Sequence, residues 1–237
     1  MEQKTAIVIG ASTGIGAATA EALAQQYKKI AITSFRHPEK LKEVQQKILA
    51  QGTDCYAETG DAGDFTFVKQ FIEHVTEHFS EKIDLLVNNA GISYVGLLTD
   101  MDETDWKRII DTNITSVFNT CRQVVPYMVH AHKGRIINIS SVWGNVGASC
   151  EVAYSATKGA VNAFTKALAK ELAPSGIAVN AIAFGAIDTT MNGHLSLEEK
   201  TALEEEIPFG RMATEKEAAD FIVTAANAGS YLTGQVL

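Results

Sequence analysis

Short runs of apolar residues alternate along this chain with longer stretches whose apolar positions recur at helical spacing. The first run, Ala6-Ile7-Val8-Ile9, ends at Gly10 and predicts a buried strand. A helix is predicted from Gly16 to about Gln26, and the same alternation continues through the chain. Strands that are apolar throughout and separated by helices indicate a parallel sheet with helices on both faces.

The remaining elements follow the same rhythm. The pattern predicts further strands at Ile30–Ser34, Cys55–Ala57, Ile83–Val87, Arg135–Ile139 and Ala178–Ala183. It predicts further helices at Pro38–Ala50, from the turn at 61–64 to Phe79, and at Glu103–Asp111, Ile114–His130, Val152–Ala173, Ser196–Glu206 and Glu215–Ala228. Right-handed crossovers then give an α/β fold with a doubly wound, Rossmann-type parallel sheet. We expect one domain over residues 1–237.

Composition narrows the class of protein. The chain has 237 residues, 46% of them hydrophobic, and a net charge of −8, which argues against binding nucleic acid or a membrane surface. Its cysteines, Cys55, Cys121 and Cys150, lack metal-ligand or disulfide-framework spacing, so we expect no metal. With no signal peptide and no run of about 18 apolar residues, we expect a cytoplasmic location.

A glycine-rich turn joins the first strand to the first helix, in the order Gly10-Ala11-Ser12-Thr13-Gly14-Ile15-Gly16. Such glycines let the backbone approach a pyrophosphate, whose charge is favoured by the helix N-terminus. The spacing, Gly-x3-Gly-x-Gly, differs from the Gly-x-Gly-x-x-Gly of many dinucleotide sites. A tight turn without a ligand is the alternative.

The end of the second strand indicates which dinucleotide is used. Thr33-Ser34-Phe35-Arg36-His37 contains no carboxylate to bind a free ribose 2′-hydroxyl, and Arg36 could accommodate a 2′-phosphate. We therefore expect NADP(H) over NAD(H). The alternative is that Arg36 is an exposed loop charge.

Tyr154 and Lys158 are four residues apart in a predicted helix, so their side chains share a face. A free tyrosine has a pKa of about 10, and a neighbouring ammonium is expected to lower it towards neutrality. Ser141 follows the fifth strand, at the sheet edge where such folds bind ligands. Ser141 could also be an ordinary turn residue, and Asn113 a helix cap.

Together these motifs resemble the short-chain dehydrogenase/reductase family. Gly10-x3-Gly14-x-Gly16, Asn88-Asn89-Ala90-Gly91, Asn113, Ser141 and Tyr154-x3-Lys158 occur in the family's order and spacing over nearly the whole chain. The resemblance implies that Tyr154 protonates a carbonyl oxygen as hydride arrives from the nicotinamide. It implies that Ser141 hydrogen-bonds that oxygen, that Lys158 also holds the nicotinamide ribose, and that Asn113 supports Lys158 through a water-linked relay.

The resemblance also implies a set of cofactor contacts beyond the catalytic residues. These are Gly10, Ser12, Thr13, Gly14, Ile15, Gly16 and Arg36, then Asp61 and Ala62 at the adenine, Asn89, Ala90 and Gly91 at the ribose, and Gly185, Ile187 and Thr189 near the nicotinamide. Phe184 stands where the family usually has proline. The segment Gly234-Gln235-Val236-Leu237 matches the family, but the glycine-rich tail that usually follows is absent, so we expect a trimmed chain. A homotetramer or homodimer packed near Ile114 and Val152 is implied as well.

The sequence leaves two candidate ketone substrates open. Overall the chain resembles bacterial 3-oxoacyl-acyl-carrier-protein reductases, and its segment 143–152 resembles the branch that reduces the 5-aminopentanone modification of elongation factor P. Acyl carrier protein or elongation factor P is therefore the expected partner carrying the ketone. The basic cluster of His130, His132, Lys133 and Arg135 is expected to form a solvated loop that borders the site. They are the only basic residues near Ser141 that an acidic carrier could contact, whereas Glu151 suits a cationic substrate. A non-catalytic dinucleotide-sensing protein is the remaining alternative.

Overall fold

The computed structural model describes residues 4–79, 82–193 and 195–237, without the side chain of Asn192. Its centre is a six-stranded parallel sheet. The strands are β1 (Thr5–Ile9), β2 (Lys29–Ser34), β3 (Asp54–Thr59), β4 (Leu85–Asn88), β5 (Gly134–Ser141) and β6 (Ile177–Phe184). Their order is β3-β2-β1-β4-β5-β6, the doubly wound order, so the predicted fold class is confirmed.

Helices cover both faces of the sheet. They are α1 (Gly14–Leu23), α2 (Pro38–Ala50), α3 (Phe65–Phe79), α4 (Glu103–Ile110), α5 (Ser116–Ala131), α6 (Trp143–Val146), α7 (Val152–Leu172), α8 (Leu197–Glu206) and α9 (Glu215–Ala226), with 3-10 turns at Leu98–Asp100, Ala173–Ser175 and Thr190–Asn192. Helices α1, α2 and α9 pack on one face, and α3, α5 and α7 on the other. None of the helices in the described ranges has the length and apolarity needed to cross a bilayer.

The two faces of β1 show why its sequence is apolar throughout. Ala6 and Val8 point into the core formed with α1, α2 and α9, whereas Ile7 and Ile9 point into the core on the opposite face. All four side chains are at most 1% exposed. Because successive strand residues face opposite sides, a strand buried on both faces has no polar alternation.

Three short elements were missing from the prediction. Residues 143–146, to which the pattern assigned no element, form the single helical turn α6, and β7 (Ile187–Asp188) pairs in parallel with β8 (Ala213–Thr214). Elements of two to four residues are too short to produce a periodic pattern, so they escape detection from periodicity.

The C-terminal segment extends the sheet beyond β6. Gln235 accepts a hydrogen bond from the Ala181 amide at 2.8 Å, and Leu237 accepts one from Ala183 at 2.7 Å. A parallel bridge joins Ala181 and Val236. The last residues thus cover the edge of β6, whose carboxyl end contributes to the site described next.

Candidate active site

A cavity of about 1290 Å³ opens at the carboxyl ends of the central strands. This is where open α/β sheets bind their ligands, at the crevice where the strand order reverses. Most of the residues predicted for the site line it: Gly10, Ser12, Thr13, Gly14, Ile15, Arg36, Asp61, Ala62, Asn89, Ala90, Gly91, Ser141, Tyr154, Lys158, Gly185, Ile187 and Thr189. Gly16 and Asn113 lie behind this lining.

The glycine loop fits tightly between β1 and β4. Gly10 has a φ of +79°, and a Cβ there would lie 2.7 Å from the Ala90 Cα, so a side chain is excluded. Asn89 Nδ2 donates a hydrogen bond to the Gly10 carbonyl at 2.8 Å. Gly16, predicted as a cofactor contact, does not line the cavity, because a Cβ there would overlap the Gly10 carbonyl and Asn89. Its role is close packing of α1 against the strands.

The N-terminus of α1 has the features of a phosphate site. Thr13 is the N-cap residue, but its side chain makes no capping hydrogen bond. The first amides of a helix have no intrahelical partner, so they can donate to an anion at this position. The loop therefore fits the pyrophosphate of a dinucleotide, with Gly14, at a φ of +62°, letting the chain enter the helix.

Arg36 lies at the rim of the same cavity. It follows the end of β2 and is exposed, and its carbonyl accepts a hydrogen bond from the buried Ser34 hydroxyl at 2.6 Å. This hydrogen bond fixes the backbone from which the guanidinium extends.

Tyr154 and Lys158 occupy the first turns of α7, and Ser141 ends β5 beside them. The Lys158 ammonium lies 5.6 Å from the centre of the Tyr154 ring and donates to the Ile139 carbonyl at 2.9 Å. Ser140, which belongs to β5 and is buried, donates to the Lys158 carbonyl at 3.2 Å. The end of β5 thus holds α7 in place from two sides.

The pKa of Tyr154 shifts in the opposite direction to the decrease predicted from the neighbouring ammonium. Burial raises the pKa of Tyr154 above 10.0; a hydrogen bond with Ser141 acts in the opposite direction, and the charge of Glu151 raises the pKa further. Burial also lowers the pKa of Lys158 from 10.5 to about 8. The sequence shows the helical spacing of the pair, but the desolvation that dominates both groups depends on the surrounding fold.

Burial of Lys158 has a measurable consequence for stability. A folded-state pKa below the unfolded value means that the unfolded chain binds more protons between pH 8 and 10.5, so stability rises with pH in that window. Relative to Lys158→Met, we expect the free energy of unfolding of the wild-type protein to increase by about 3 kcal/mol from pH 7 to pH 10.5. Urea denaturation of both proteins across this range measures it. A constant difference between them would contradict the depressed pKa.

Asn113 lies inside a π-helical turn, Asp111–Thr115, between α4 and α5. It is therefore not a helix cap, the alternative left open by the sequence. Its amide donates to the Ile92 carbonyl at 2.9 Å and to the Thr157 hydroxyl at 3.0 Å, and its Oδ1 accepts from the Ile92 amide at 2.8 Å. Isolated π-turns of this kind often occur at functional sites. The turn directs Asn113 towards the loop after β4 and towards α7.

A buried chain of hydrogen bonds ties this region to the sheet. Asn88 donates to Asn138 at 2.9 Å, and Asn138 donates to the Thr165 hydroxyl at 2.8 Å. The Thr120 hydroxyl in turn donates to Asn88 at 2.7 Å. Because buried polar groups are costly without partners, this chain fixes α5, β4, β5 and α7 relative to each other.

The basic cluster does not border the site. Residues 130–135 lie at the amino end of β5, and Ser141 lies at its other end, roughly 23 Å away at about 3.3 Å per residue. The Arg135 guanidinium donates to the Ala225 and Ala228 carbonyls at 2.9 and 2.6 Å, at the end of α9. Arg135 therefore stabilises a helix terminus on the opposite edge of the sheet.

Two residues without a role predicted from the sequence, Ser93 and Trp143, also line the cavity. Ser93, in the loop after β4, donates a hydrogen bond to Glu151 at 3.0 Å, and both line the cavity. Trp143 is 37% exposed and lines the cavity too. Ser93 and Glu151 are 58 residues apart, so no local pattern links them. Cys150 is absent from the cavity lining, and its carbonyl accepts a hydrogen bond from the Gly96 amide.

The amino-acid sequence matches a known protein family and several of its members. Residues 4–200 match the family model described as short chain dehydrogenase. The chain is 39% identical over 235 residues to the oxidoreductase YmfI of Bacillus subtilis strain 168, covering 99% of this chain and 96% of that protein. It is equally identical to the 3-oxoacyl-acyl-carrier-protein reductase FabG of Staphylococcus aureus strain Mu50, covering 99% and 95%.

Solved structures agree with the sequence relatives. An actinorhodin polyketide ketoreductase crystallised with NADPH superposes with a TM-score of 0.93 at 30% identity, covering 100% of this chain and 95% of that one. A short-chain dehydrogenase/reductase of Serratia marcescens superposes with a TM-score of 0.91 at 29% identity, covering 99% and 95%. The protein is an oxidoreductase acting on carbonyl or hydroxyl groups with a nicotinamide dinucleotide. This chain belongs to the short-chain dehydrogenase/reductase family.

Proposed function

We propose that the protein is an NADPH-dependent carbonyl reductase that converts a 3-oxoacyl thioester-like ketone to the hydroxy product. The observation that carries this proposal is the convergence of Ser141, Tyr154 and Lys158 on the wall of a cavity that also contains the glycine loop. A donor, a proton source and a dinucleotide cradle in one cavity are the parts that carbonyl reduction requires.

Each of the three side chains has a separate task in the proposed reaction. Tyr154, whose pKa is raised by burial and which is therefore fully protonated at neutral pH, as a free tyrosine also is, donates its phenolic proton to the substrate oxygen. Ser141 donates a hydrogen bond to the same oxygen as negative charge develops there. Lys158, held at Ile139, favours the phenolate that Tyr154 becomes. The bound dinucleotide supplies the hydride. Asn113 is proposed to support Lys158, because its Oδ1 and the lysine Nζ both lie within 3.6 Å of the position of a Gly91 Cβ.

Arg36 supports the preference for NADPH. A guanidinium pairs with a phosphate through charge-assisted hydrogen bonds, and the end of β2 offers no carboxylate that would repel one. The NADPH bound to the polyketide ketoreductase is consistent with this choice of cofactor.

We expect Arg36→Ala to weaken NADPH binding by about tenfold or more and to leave NADH binding nearly unchanged. Fluorescence titration with both dinucleotides measures the two affinities. The matched control is Lys42→Ala, which removes an exposed charge from α2 outside the cavity lining. Equal losses for NADPH and NADH in Arg36→Ala would remove this residue from 2′-phosphate recognition.

The substrate class is proposed from the relatives that share the reaction geometry. Several that are 37–40% identical over almost the whole chain bear the name 3-oxoacyl-acyl-carrier-protein reductase. Acyl carrier protein is accordingly one proposed partner. Incubation with NADPH and acetoacetyl thioester, free or attached to acyl carrier protein, tests this. Oxidation of NADPH with formation of the 3-hydroxyacyl product is expected, and inertness towards both thioesters would reject this substrate class.

A second candidate keeps the reaction and changes the ketone to the 5-aminopentanone modification of elongation factor P. It is favoured by the carboxylate of Glu151 in the cavity and by the position of the basic cluster at the opposite edge of the sheet. Direct comparison of kcat/KM for acetoacetyl thioester and for the modified elongation factor separates the candidates.

We also propose that the protein is a homodimer or homotetramer. Phe118 on α5 and Val152 at the start of α7 are 48% and 45% exposed. Large apolar side chains exposed on neighbouring helices are typical of an interface between subunits. Sedimentation equilibrium is expected to show an assembly of two or four chains, and Phe118→Glu should shift it towards the monomer.

A further inference from the structure

We propose that Glu151 binds a positively charged group on the ketone substrate, and that this contact activates Tyr154. The inference rests on the proposed carbonyl reduction and adds to it the charge of the substrate and the residue that recognises it. The sequence indicates only that Glu151 suits a cationic substrate; neither the sequence, the family match nor the relatives link that contact to Tyr154.

Glu151 is placed where a substrate group would meet it. It is the N-cap residue of α7, and it lines the same cavity as Tyr154 and Lys158, which belong to the first two turns of that helix. When the carbonyl oxygen of a substrate contacts Tyr154, a group that lies a few bonds from that carbonyl can therefore reach the Glu151 carboxylate.

The carboxylate is held in position from a separate segment of the chain. Ser93 donates to Glu151 Oε2 at 3.0 Å, and the Gly96 amide donates to the Cys150 carbonyl at 2.8 Å. Two hydrogen bonds thus join the loop after β4 to the residues preceding α7. Fixed geometry of this kind lowers the entropic cost of binding a partner group.

No cation within the described part of the chain neutralises Glu151. The cavity's other ionisable lining residues are Arg36, His37, Asp61, Lys107, Arg108, Asp111, Tyr154 and Lys158. Lys107 pairs with Asp111 at 2.8 Å, Arg108 pairs with Asp105 at 2.8 Å, and Lys158 donates to a backbone carbonyl. Arg36, His37 and Asp61 follow the ends of β2 and β3, on the dinucleotide side. The carboxylate therefore faces the substrate space without a protein counter-ion.

The Glu151 carboxylate makes Tyr154 a weaker acid, and a cationic substrate would reverse this effect. The negative charge of Glu151 raises the pKa of Tyr154, which disfavours the phenolate formed during reduction. A bound ammonium group would offset that charge, so the phenolate becomes easier to form when the correct substrate is present. The contact between Glu151 and the ammonium group therefore both recognises the substrate and lowers the pKa of Tyr154.

An isosteric pair of ketones tests the inference. The probes are 5-oxohexyl-trimethylammonium, which cannot cyclise to an imine, and 7,7-dimethyloctan-2-one, in which a tert-butyl group replaces the charged group. For the wild-type protein we expect kcat/KM to be about tenfold or more higher for the cationic ketone. In Glu151→Gln we expect the preference to disappear, through a decrease for the cationic ketone and an increase for the neutral one.

The pH dependence gives a readout that a structural role would not change. For oxidation of the two corresponding alcohols, Tyr154 acts as the base, so kcat rises with pH through its pKa. In the wild-type protein this rise should occur at lower pH for the cationic alcohol than for the neutral one. In Glu151→Gln the two profiles should coincide.

Control variants distinguish a failure of the Glu151 inference from a failure of the proposed reductase activity. Glu171→Gln makes the same charge change on α7 about 30 Å along the helix, and it should keep the wild-type preference. Ser93→Ala should reduce the preference while the carboxylate stays present. Equal kcat/KM for both ketones in the wild-type protein, or equal changes in Glu151→Gln, would overturn the inference. Failure to reduce either ketone or any acetoacetyl thioester would instead overturn the proposed reaction.

Discussion

Replacement of Tyr154 by phenylalanine is expected to lower kcat for ketone reduction by about a thousandfold or more, because a positioned general acid contributes about 10²–10⁴ to rate. The ring remains, so packing at the start of α7 is retained. The substitution removes only the phenolic group that forms a hydrogen bond with Ser141. Dinucleotide affinity should therefore stay within about twofold of the wild-type value.

Steady-state turnover of acetoacetyl thioester and fluorescence titration with NADPH measure the two quantities separately. The matched control is Tyr127→Phe on α5, which lies outside the cavity lining and should keep wild-type turnover. If Tyr154→Phe retained more than about a tenth of wild-type kcat, the proton would have to come from another group. If it lost turnover and dinucleotide affinity together, the loss would reflect a damaged site.

Gly16→Ala is expected to weaken NADPH binding by about a hundredfold and to lower the free energy of unfolding by about 1–3 kcal/mol, as overpacking of a tight contact does. An added Cβ would overlap the Gly10 carbonyl and Asn89. Either backbone or side chain must then move, and Gly10 and Asn89 are joined by the hydrogen bond that closes the loop. Displacement of this loop separates the amides that face the pyrophosphate.

Gly229→Ala is the appropriate comparison. An added Cβ there meets nothing within 4 Å, and the backbone has no positive φ. We expect wild-type dinucleotide affinity in that variant. Wild-type NADPH affinity in Gly16→Ala would show that the glycine loop tolerates a side chain and would contradict its role in close packing.

The architecture was predictable because its strands and helices are long enough to leave periodic patterns. The apolar run at 6–9 and the helix from Pro38 to Ala50 both appear in the structure, the helix with the predicted bounds. β7 and β8 were not predictable, since two-residue strands produce no period. The π-turn at Asp111–Thr115 was missed as well: the sequence predicted a helix ending at Asp111 and another beginning at Ile114, whereas the π-turn joins α4 directly to α5.

The site was predictable where its residues belong to local motifs and not where the fold brings distant residues together. Tyr154 and Lys158 are one helical turn apart, but the contact between Ser93 and Glu151 joins two loops. Arg135 shows the opposite error: it is near Ser141 in sequence yet at the other end of the same strand. The pKa of Tyr154 was mispredicted because burial cannot be seen in a four-residue spacing.

The most direct test of the proposed carbonyl reduction is a single-turnover reaction. Enzyme-bound NADPH is mixed with a ketone, and the remaining NADPH and the alcohol product are both measured. Carbonyl reduction by this cavity predicts that one alcohol forms for each NADPH consumed, with both changes abolished in Tyr154→Phe. A protein that binds NADPH tightly and leaves it unoxidised with acetoacetyl thioester, with the modified elongation factor and with the cationic ketone would contradict the account. It would instead be a dinucleotide-binding protein without reductase activity.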